Sequence, residues 1–165
     1  MTYRSRKIVA GILLVICLAV LGRFVLFKKP LGYYRQYFKS ASMRADAIEA
    51  NKANNNYVLF ATIRKFYKSR RLRTEYKVDN IGGNIIGFIP LGFLFPFFMG
   101  RNLKGIKTIL AVFLISLGFE WIQLKTGIGV FDVDDLFLNT TGGLIGLILY
   151  YGASWMFRPA HQPIH

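Results

Sequence analysis

Residues 84–146 read NIIGFIPLGFLFPFFMGRNLKGIKTILAVFLISLGFEWIQLKTGIGVFDVDDLFLNTTGGLIG, three apolar runs with polar residues near one end of each. In chain order, these polar residues are Asn84, Glu120, Gln123, Asp134, Asp135 and Asn139. Antiparallel helices joined by short loops alternate in direction, so the polar ends must meet at one face of the bundle. The stretch therefore predicts an apolar helical bundle with a cluster of carboxylates and amides at one end.

Apolar runs long enough to cross a membrane occupy about residues 8–27, 81–100, 106–124 and 136–157. About 20 apolar residues match the thickness of the hydrocarbon core. The first run is longer and bulkier than the apolar core of a signal peptide, so we expect it to be retained. The sequence predicts an all-α membrane protein, a bundle of about four transmembrane helices in a single domain over residues 1–165.

The chain is strongly basic, with 22 Lys and Arg against 8 Asp and Glu. These basic residues flank the apolar runs, which favours membrane lipids with anionic headgroups as partners and not nucleic acid. The polar loop at residues 28–80 holds much of this charge. Within it, residues 33–38 and 57–67 mix aromatic or apolar residues with basic ones, which predicts interfacial amphipathic helices, a solvated connector being the alternative.

Positive charge in short loops marks the cytoplasmic side of a membrane protein. The basic residues in short segments are Arg4, Arg6, Lys7, Arg101, Lys104, Lys107 and Arg158. A four-span chain places all of them on one side, so we expect a multi-pass protein of the plasma membrane with cytoplasmic termini. Loop 28–80 is then extracytoplasmic, and its length approaches that at which the charge rule weakens.

Glu120 stands between Phe119 and Trp121 inside an apolar run, where a carboxylate is costly to bury. Gln123 shares its helix face, and the same type of pairing recurs in Asn80 with Asn84 and in Asp135 with Asn139. Interhelical hydrogen bonding is the alternative reading of the amides. Asp134 is expected to cap the helix that it opens, where acidic residues suit exposed N–H groups.

When two carboxyl groups lie close together in a medium of low dielectric, the pKa of one of them rises or the two share a cation. We therefore predict a ligand-binding site of Asn84, Glu120, Gln123, Asp132, Asp134, Asp135 and Asn139. No catalytic residue is assigned, since the sequence has no GxSxG motif and its histidines, His161 and His165, stand in the C-terminal tail. We expect no cofactor; a divalent cation bound through the acidic oxygens is the alternative.

Small residues predict where helices approach closely. Gly142, Gly143 and Gly146 in the last run permit tight packing against another helix, and Gly92 is assigned the same structural role. Pro90 interrupts the second run, but neighbouring helices in a membrane can satisfy the carbonyl that it frees.

Three motifs in the same region resemble the VanZ-like family. Residues 80–93, NIGGNIIGFIPLGF, resemble its GNxxxFxPLGF motif, and residues 120–123, EWIQ, resemble its ExxQ motif. Residues 129–143, GVFDVDDLFLNTTGG, are similar to its FDxDDxxxNxxGG motif. With a weaker likeness upstream, the resemblance covers about residues 56–152.

This resemblance implies a four- to five-span membrane protein, some relatives of which lower susceptibility to teicoplanin. We therefore expect a non-enzymatic cell-envelope protein of a Gram-positive cell, with an outward-facing cluster that binds an envelope lipid, a cell-wall precursor or a glycopeptide. A metal-dependent membrane enzyme acting on a lipid head group and a purely structural membrane partner are the alternatives.

Overall fold

The structure, a computed structural model, describes residues 3–27, 29–70, 73–100 and 102–156, with the backbone alone for Tyr3 and Tyr76. These described residues are helical and contain no strand. The α-helices found there are α1 Tyr3–Leu26, α2 Leu31–Lys39, α3 Ala41–Lys52, α4 Ala61–Lys68, α5 Thr74–Leu94, α6 Lys104–Thr126 and α7 Val133–Met156. A short 3-10 helix, Phe95–Phe97, follows α5.

Four helices of the described chain are long and apolar enough to cross a membrane, which confirms the predicted all-α membrane fold. Their candidate spans are Arg4–Leu26, Lys77–Phe97, Lys104–Thr126 and Val133–Met156. The second span begins at Lys77 and not at residue 81, and it ends at Phe97, with the 3-10 helix that contains Pro96, and not at residue 100. The predicted end of the last span at residue 157, together with Arg101, Arg158, His161 and His165, lies outside the described residues.

The long helices alternate in direction, so on each side of the bundle two helices end and two others begin. We call the side where α1 and α6 end and α5 and α7 begin the loop end. The opposite side, where α5 passes through a short turn into α6, is called the turn end. The connecting helices α2, α3 and α4 follow α1 and therefore belong to the loop end.

The apolar core lies between α1, α5 and α6. Phe88, Leu91 and Val112 are fully buried, and Leu21 of α1 packs against them. The outer face of α1 instead exposes large apolar side chains such as Ile12 and Val15. An apolar face of this kind suits contact with lipid tails, which have the same polarity as the bundle interior.

Helices α5 and α7 form the closest pair in the bundle. A Cβ atom on Gly142 would lie 2.1 Å from the carbonyl oxygen of Ile85, and one on Gly146 would lie 2.0 Å from that of Ile89. A Cβ atom on Gly92 would lie 1.9 Å from the carbonyl oxygen of Gly143. The backbones meet directly at this contact, which larger residues would force apart.

The connecting segment, residues 29–70, contains a helix that we did not predict. Helices α2 and α4 fall near the two predicted amphipathic stretches, whereas α3 has Met43 and Ile48 as its only large apolar residues and buries no residue. Its start could have been recognised from Ser40, whose hydroxyl accepts a hydrogen bond from the Met43 N–H at 3.2 Å. In α2, Tyr34 and Tyr37 are buried, and in α4 Phe66 is buried.

Candidate functional site at the loop end

Asp132 lies just before α7 and joins that helix to the connecting segment. Its Oδ1 accepts the Asp134 N–H at 2.8 Å, the bond of a helix N-cap. The same oxygen accepts the Asn56 side-chain amide at 2.7 Å, and Oδ2 accepts the Thr62 hydroxyl at 2.6 Å. A single carboxylate therefore starts α7 and fixes the segment that leads into α4.

Asp134 caps a different helix from the one predicted. Its carboxylate is fully buried and accepts backbone N–H groups from Phe60, from Thr62 at 2.8 Å and from Ile63 at 3.0 Å. These donors open α4, where backbone N–H groups have no partner within their own helix and the helix dipole favours a negative charge. The expectation that Asp134 caps α7 was wrong because a distant segment supplies N–H donors and Asp132 occupies the capping position.

The backbone of Asn56 runs beside the chain that enters α7. Its N–H donates to the Phe131 carbonyl at 2.8 Å, and its carbonyl accepts the Val133 N–H at 3.0 Å. The Asn55 side chain accepts the Phe131 N–H at 3.0 Å. Residues 55–63 are thus attached to residues 131–134 through main chain and side chains together.

Phe60 adopts a left-handed backbone conformation, with φ 65° and ψ 9°, where α4 begins. A bulky residue rarely adopts this conformation without support from its surroundings. Here the support is the Asp134 carboxylate, which accepts the Phe60 N–H, and the Phe137 ring, whose centroid lies 5.2 Å from the Phe60 ring. The buried Asp134 carboxylate therefore supports both the left-handed backbone of Phe60 and the start of α4.

Glu120 reaches the same place from α6. It is only 1% exposed, and its Oε2 accepts the Asp132 N–H at 2.8 Å. The structure therefore brings this predicted carboxylate to the start of α7, as the sequence suggested. Its oxygen holds a backbone N–H there, which offsets part of the cost of removing the carboxylate from water.

The predicted amides make the remaining bonds between helices. Asn84 of α5 donates to Asp135 Oδ1 at 2.5 Å, and Asn139 of α7 donates to the Ser116 hydroxyl of α6 at 2.8 Å. Gln123 donates to the Val25 carbonyl of α1 at 3.0 Å. Four helices are thereby joined through side chains that stand in the sequence as isolated polar residues.

The end of α6 is attached to the connecting segment by a second group of bonds. The Tyr37 hydroxyl donates to the Thr126 carbonyl, and the Asn51 amide donates to the carbonyls of Gly127 at 3.0 Å and Gly129 at 2.8 Å. Burial raises the pKa of the Tyr37 phenol, which therefore stays a proton donor. Gly127 has φ 69°, which suits a helix end that only glycine adopts easily.

Sequence reasoning missed Tyr37, Asn51, Asn55, Asn56 and Thr62. They stand in the basic loop, where the asparagines at positions 54–56 indicated only a turn. The available signal was the density of amides in a segment otherwise rich in Lys and Arg. Ile48, Asn51, Asn55, Tyr57 and Lys125 line a depression of about 430 Å³ on this surface.

The arrangement of the acids bears on a metal site. Among the residues that the structure describes, no three or more His, Cys, Asp and Glu side chains are placed to share a metal ion. The oxygens of Asp132 and Asp134 instead accept amide, hydroxyl and backbone donors of the chain itself. Carboxylates bonded in this way hold the connecting segment in place and act as hydrogen-bond acceptors.

Fold and site together define a class: a small helical membrane protein whose spans carry a polar cluster at one end, with the first connecting segment attached to it. The chain belongs to the VanZ/LLP1 family, whose family model matches residues 9–157. The resemblance that the motifs indicated is thereby confirmed.

One curated relative shows how far this similarity extends. Protein VanZ of Enterococcus faecium is 41% identical over 70 residues, which cover 41% of this chain and 41% of that protein. The match thus spans less than half the length of the curated relative. No solved structure matches the chain.

Proposed function

We propose that this protein is a non-enzymatic component of a Gram-positive plasma membrane whose loop end binds an envelope lipid or a glycopeptide. Binding there would lower the susceptibility of the cell to teicoplanin-type antibiotics. The observation that carries the proposal is the meeting of polar side chains from separate helices at one end, where Asn84 bonds to Asp135 and Glu120 bonds to the Asp132 backbone.

Burial divides the predicted site residues into two roles. Asn84 and Asp135 are half-buried, so we assign them the direct contacts with amine and hydroxyl groups of the ligand. Asp132 is also half-buried, but both of its oxygens accept hydrogen bonds from the chain, so we assign it to positioning. Glu120, Gln123, Asp134 and Asn139 are buried, and we assign them the positioning of the surface that presents those contacts. The ligand is then bound by carboxylate and amide groups whose positions the helical bundle fixes.

The charge distribution supports an outward-facing loop end. Arg4, Arg6, Lys7, Lys104 and Lys107 all stand at the turn end, which by the positive-inside rule is cytoplasmic. In this orientation the exposed Arg64, Lys65 and Lys68 of α4 rest on anionic headgroups of the outer leaflet. The whole chain then acts as a single membrane domain with both termini in the cytoplasm.

Expression in a susceptible Gram-positive host tests this function. We expect the wild type to raise the teicoplanin concentration needed to stop growth, and Asp135→Asn to abolish the gain while the protein reaches the membrane in equal amount. Asp79→Asn, an exposed acid on the first part of α5, is the matched control and should keep the wild-type effect. Equal susceptibility with and without the wild-type protein would refute the resistance role.

The satisfied acids also favour a second function, that of a structural membrane partner. Asp134 has both carboxylate oxygens bonded to the chain itself, which is what a purely structural acid would show. In that case Asp135→Asn should lower the stability of the purified protein and leave every envelope phenotype unchanged. The two functions therefore differ in whether the phenotype follows Asp135 independently of protein abundance.

A further inference from the structure

The turn end contains a groove of about 1120 Å³ between the start of α1, the end of α5 and the end of α7. This volume exceeds that of the usual small-molecule pocket, about 300–1,000 Å³. The groove lies at the opposite end of the spans from the polar cluster, so it is distinct from the site described above. Its lining combines basic side chains with a long apolar wall.

The basic part of the lining consists of Arg6, Lys7 and Lys104. Among the described residues that line the groove there is no Asp or Glu. Lys104 donates to the Tyr150 hydroxyl at 3.2 Å, and its Nζ lies 5.4 Å from the centre of the same ring. A neutral partner orients this ammonium without cancelling its charge, so the groove remains suited to an anion.

The apolar part of the lining includes Leu13 and Leu94, deeper along the same helices. Leu94 is buried, whereas Leu13 is about half exposed on the side of α1 that would meet lipid. An occupant must therefore offer a negative head close to three cations and a hydrocarbon chain running along the helices. Free phosphate would leave the apolar wall uncovered, and an ammonium head would meet like charge.

We infer that this groove binds one anionic phospholipid from the leaflet at the turn end. The lipid phosphate would lie among Arg6, Lys7 and Lys104, with an acyl chain along Leu13 and Leu94. Basic side chains at a membrane surface attract acidic headgroups, and a groove between helices adds contacts with the chain. The inference goes beyond the proposed function and holds whether or not the loop end binds an envelope ligand.

Native mass spectrometry of the full chain, released from vesicles of equal phosphatidylglycerol and phosphatidylcholine, tests this site. We expect the wild type to retain one phosphatidylglycerol, in preference to phosphatidylcholine by about tenfold or more. The triple variant Arg6→Gln, Lys7→Gln, Lys104→Gln should lose that preference. The control Lys39→Gln, Lys52→Gln, Arg70→Gln removes the same numbers of Arg and Lys from exposed positions of the connecting segment and should keep it.

A second variant separates the groove from general surface charge. Leu13→Trp fills the apolar wall, keeps every cation and should also displace the retained phosphatidylglycerol. Equal retention of both lipids by the wild type would overturn the inference, as would equal losses in the two triple variants. Wild-type retention by Leu13→Trp would exclude the groove as the place where the acyl chain lies.

Discussion

At the loop end, Asp132, Asp134 and Glu120 are buried or half-buried, and their oxygens accept hydrogen bonds from the chain itself. At the turn end, Arg6 and Lys104 line an open groove whose described lining contains no acid. The acids therefore contribute to folding, since their donors come from distant parts of the same chain. In our proposal, the cations of the groove instead receive the phosphate of a lipid. Buried acids that hold the connecting segment at the loop end thus contrast with cations that line a groove at the turn end.

Removal of the Asp134 carboxylate should disrupt the loop end most. Asp134→Ala leaves three backbone N–H groups without an acceptor, each worth about 1–3 kcal/mol when buried. We expect a loss of about 3 kcal/mol or more in the free energy of unfolding, measured in mixed detergent micelles. Asp79→Ala, which removes an exposed acid, should unfold like the wild type. Equal losses for both variants would show that Asp134 does not hold the segment.

The glycines at the contact between α5 and α7 allow the backbones of these two helices to approach closely. In Gly146→Ala the new methyl group meets the Ile89 carbonyl, a backbone atom that no rotamer change can move. We expect unfolding to become easier by about 1–3 kcal/mol. Gly152→Ala on the same helix meets nothing within 4 Å and should be tolerated. If both variants unfold alike, α5 and α7 are not in close contact at Gly146.

The bond between Asn84 and Asp135 tests whether the half-buried part of the loop end is structural as well as functional. A double-mutant cycle with Asn84→Ala and Asp135→Ala should give a coupling energy of about 1 kcal/mol, above the average of about 0.6 kcal/mol for polar pairs in membranes. The cycle between Asn139 and Ser116 serves as its reference, with about 0.6 kcal/mol expected. A coupling energy of zero in the first cycle would show that Asn84 and Asp135 do not interact.

The smallest change in the free energy of unfolding is expected at the turn end, in contrast to the large change at the loop end. Lys104→Gln removes a cation that donates to the neutral Tyr150 hydroxyl, so the free energy of unfolding should change by less than about 0.5 kcal/mol. Thermal unfolding in zwitterionic detergent, where no anionic lipid is present, measures this shift. A loss as large as that of Asp134→Ala would contradict the proposed difference between the two ends.

Much of the fold could be predicted because a bilayer fixes the length of apolar runs and makes isolated polar residues informative. The bond between Asn84 and Asp135 follows the predicted meeting of polar helix ends. Glu120 likewise lies where alternating spans should bring it, at the start of α7. Both results depend only on helix periodicity and direction, which the sequence records directly.

The attachment of the connecting segment could not be predicted in this way. Asp134 meets Thr62, a residue 72 positions away, and no sequence pattern specifies a partner at such a distance. Phe60 has a left-handed backbone that its bulky side chain disfavours. Helix α3 has Met43 and Ile48 as its only large apolar residues, so its sequence shows no apolar stripe. These features arise from tertiary contacts and not from local preference.

Hydrogen exchange of the backbone amides in residues 60–63, with the protein in lipid nanodiscs, tests most directly whether the buried acid holds this segment. Thr62 and Ile63 donate to Asp134, so we predict slow exchange in the wild type. Asp134→Asn should accelerate exchange there about a hundredfold and leave the middle of α6 unchanged. If these amides already exchange in the wild type as fast as in an unstructured peptide, the Asp134 carboxylate does not hold the connecting segment at the loop end.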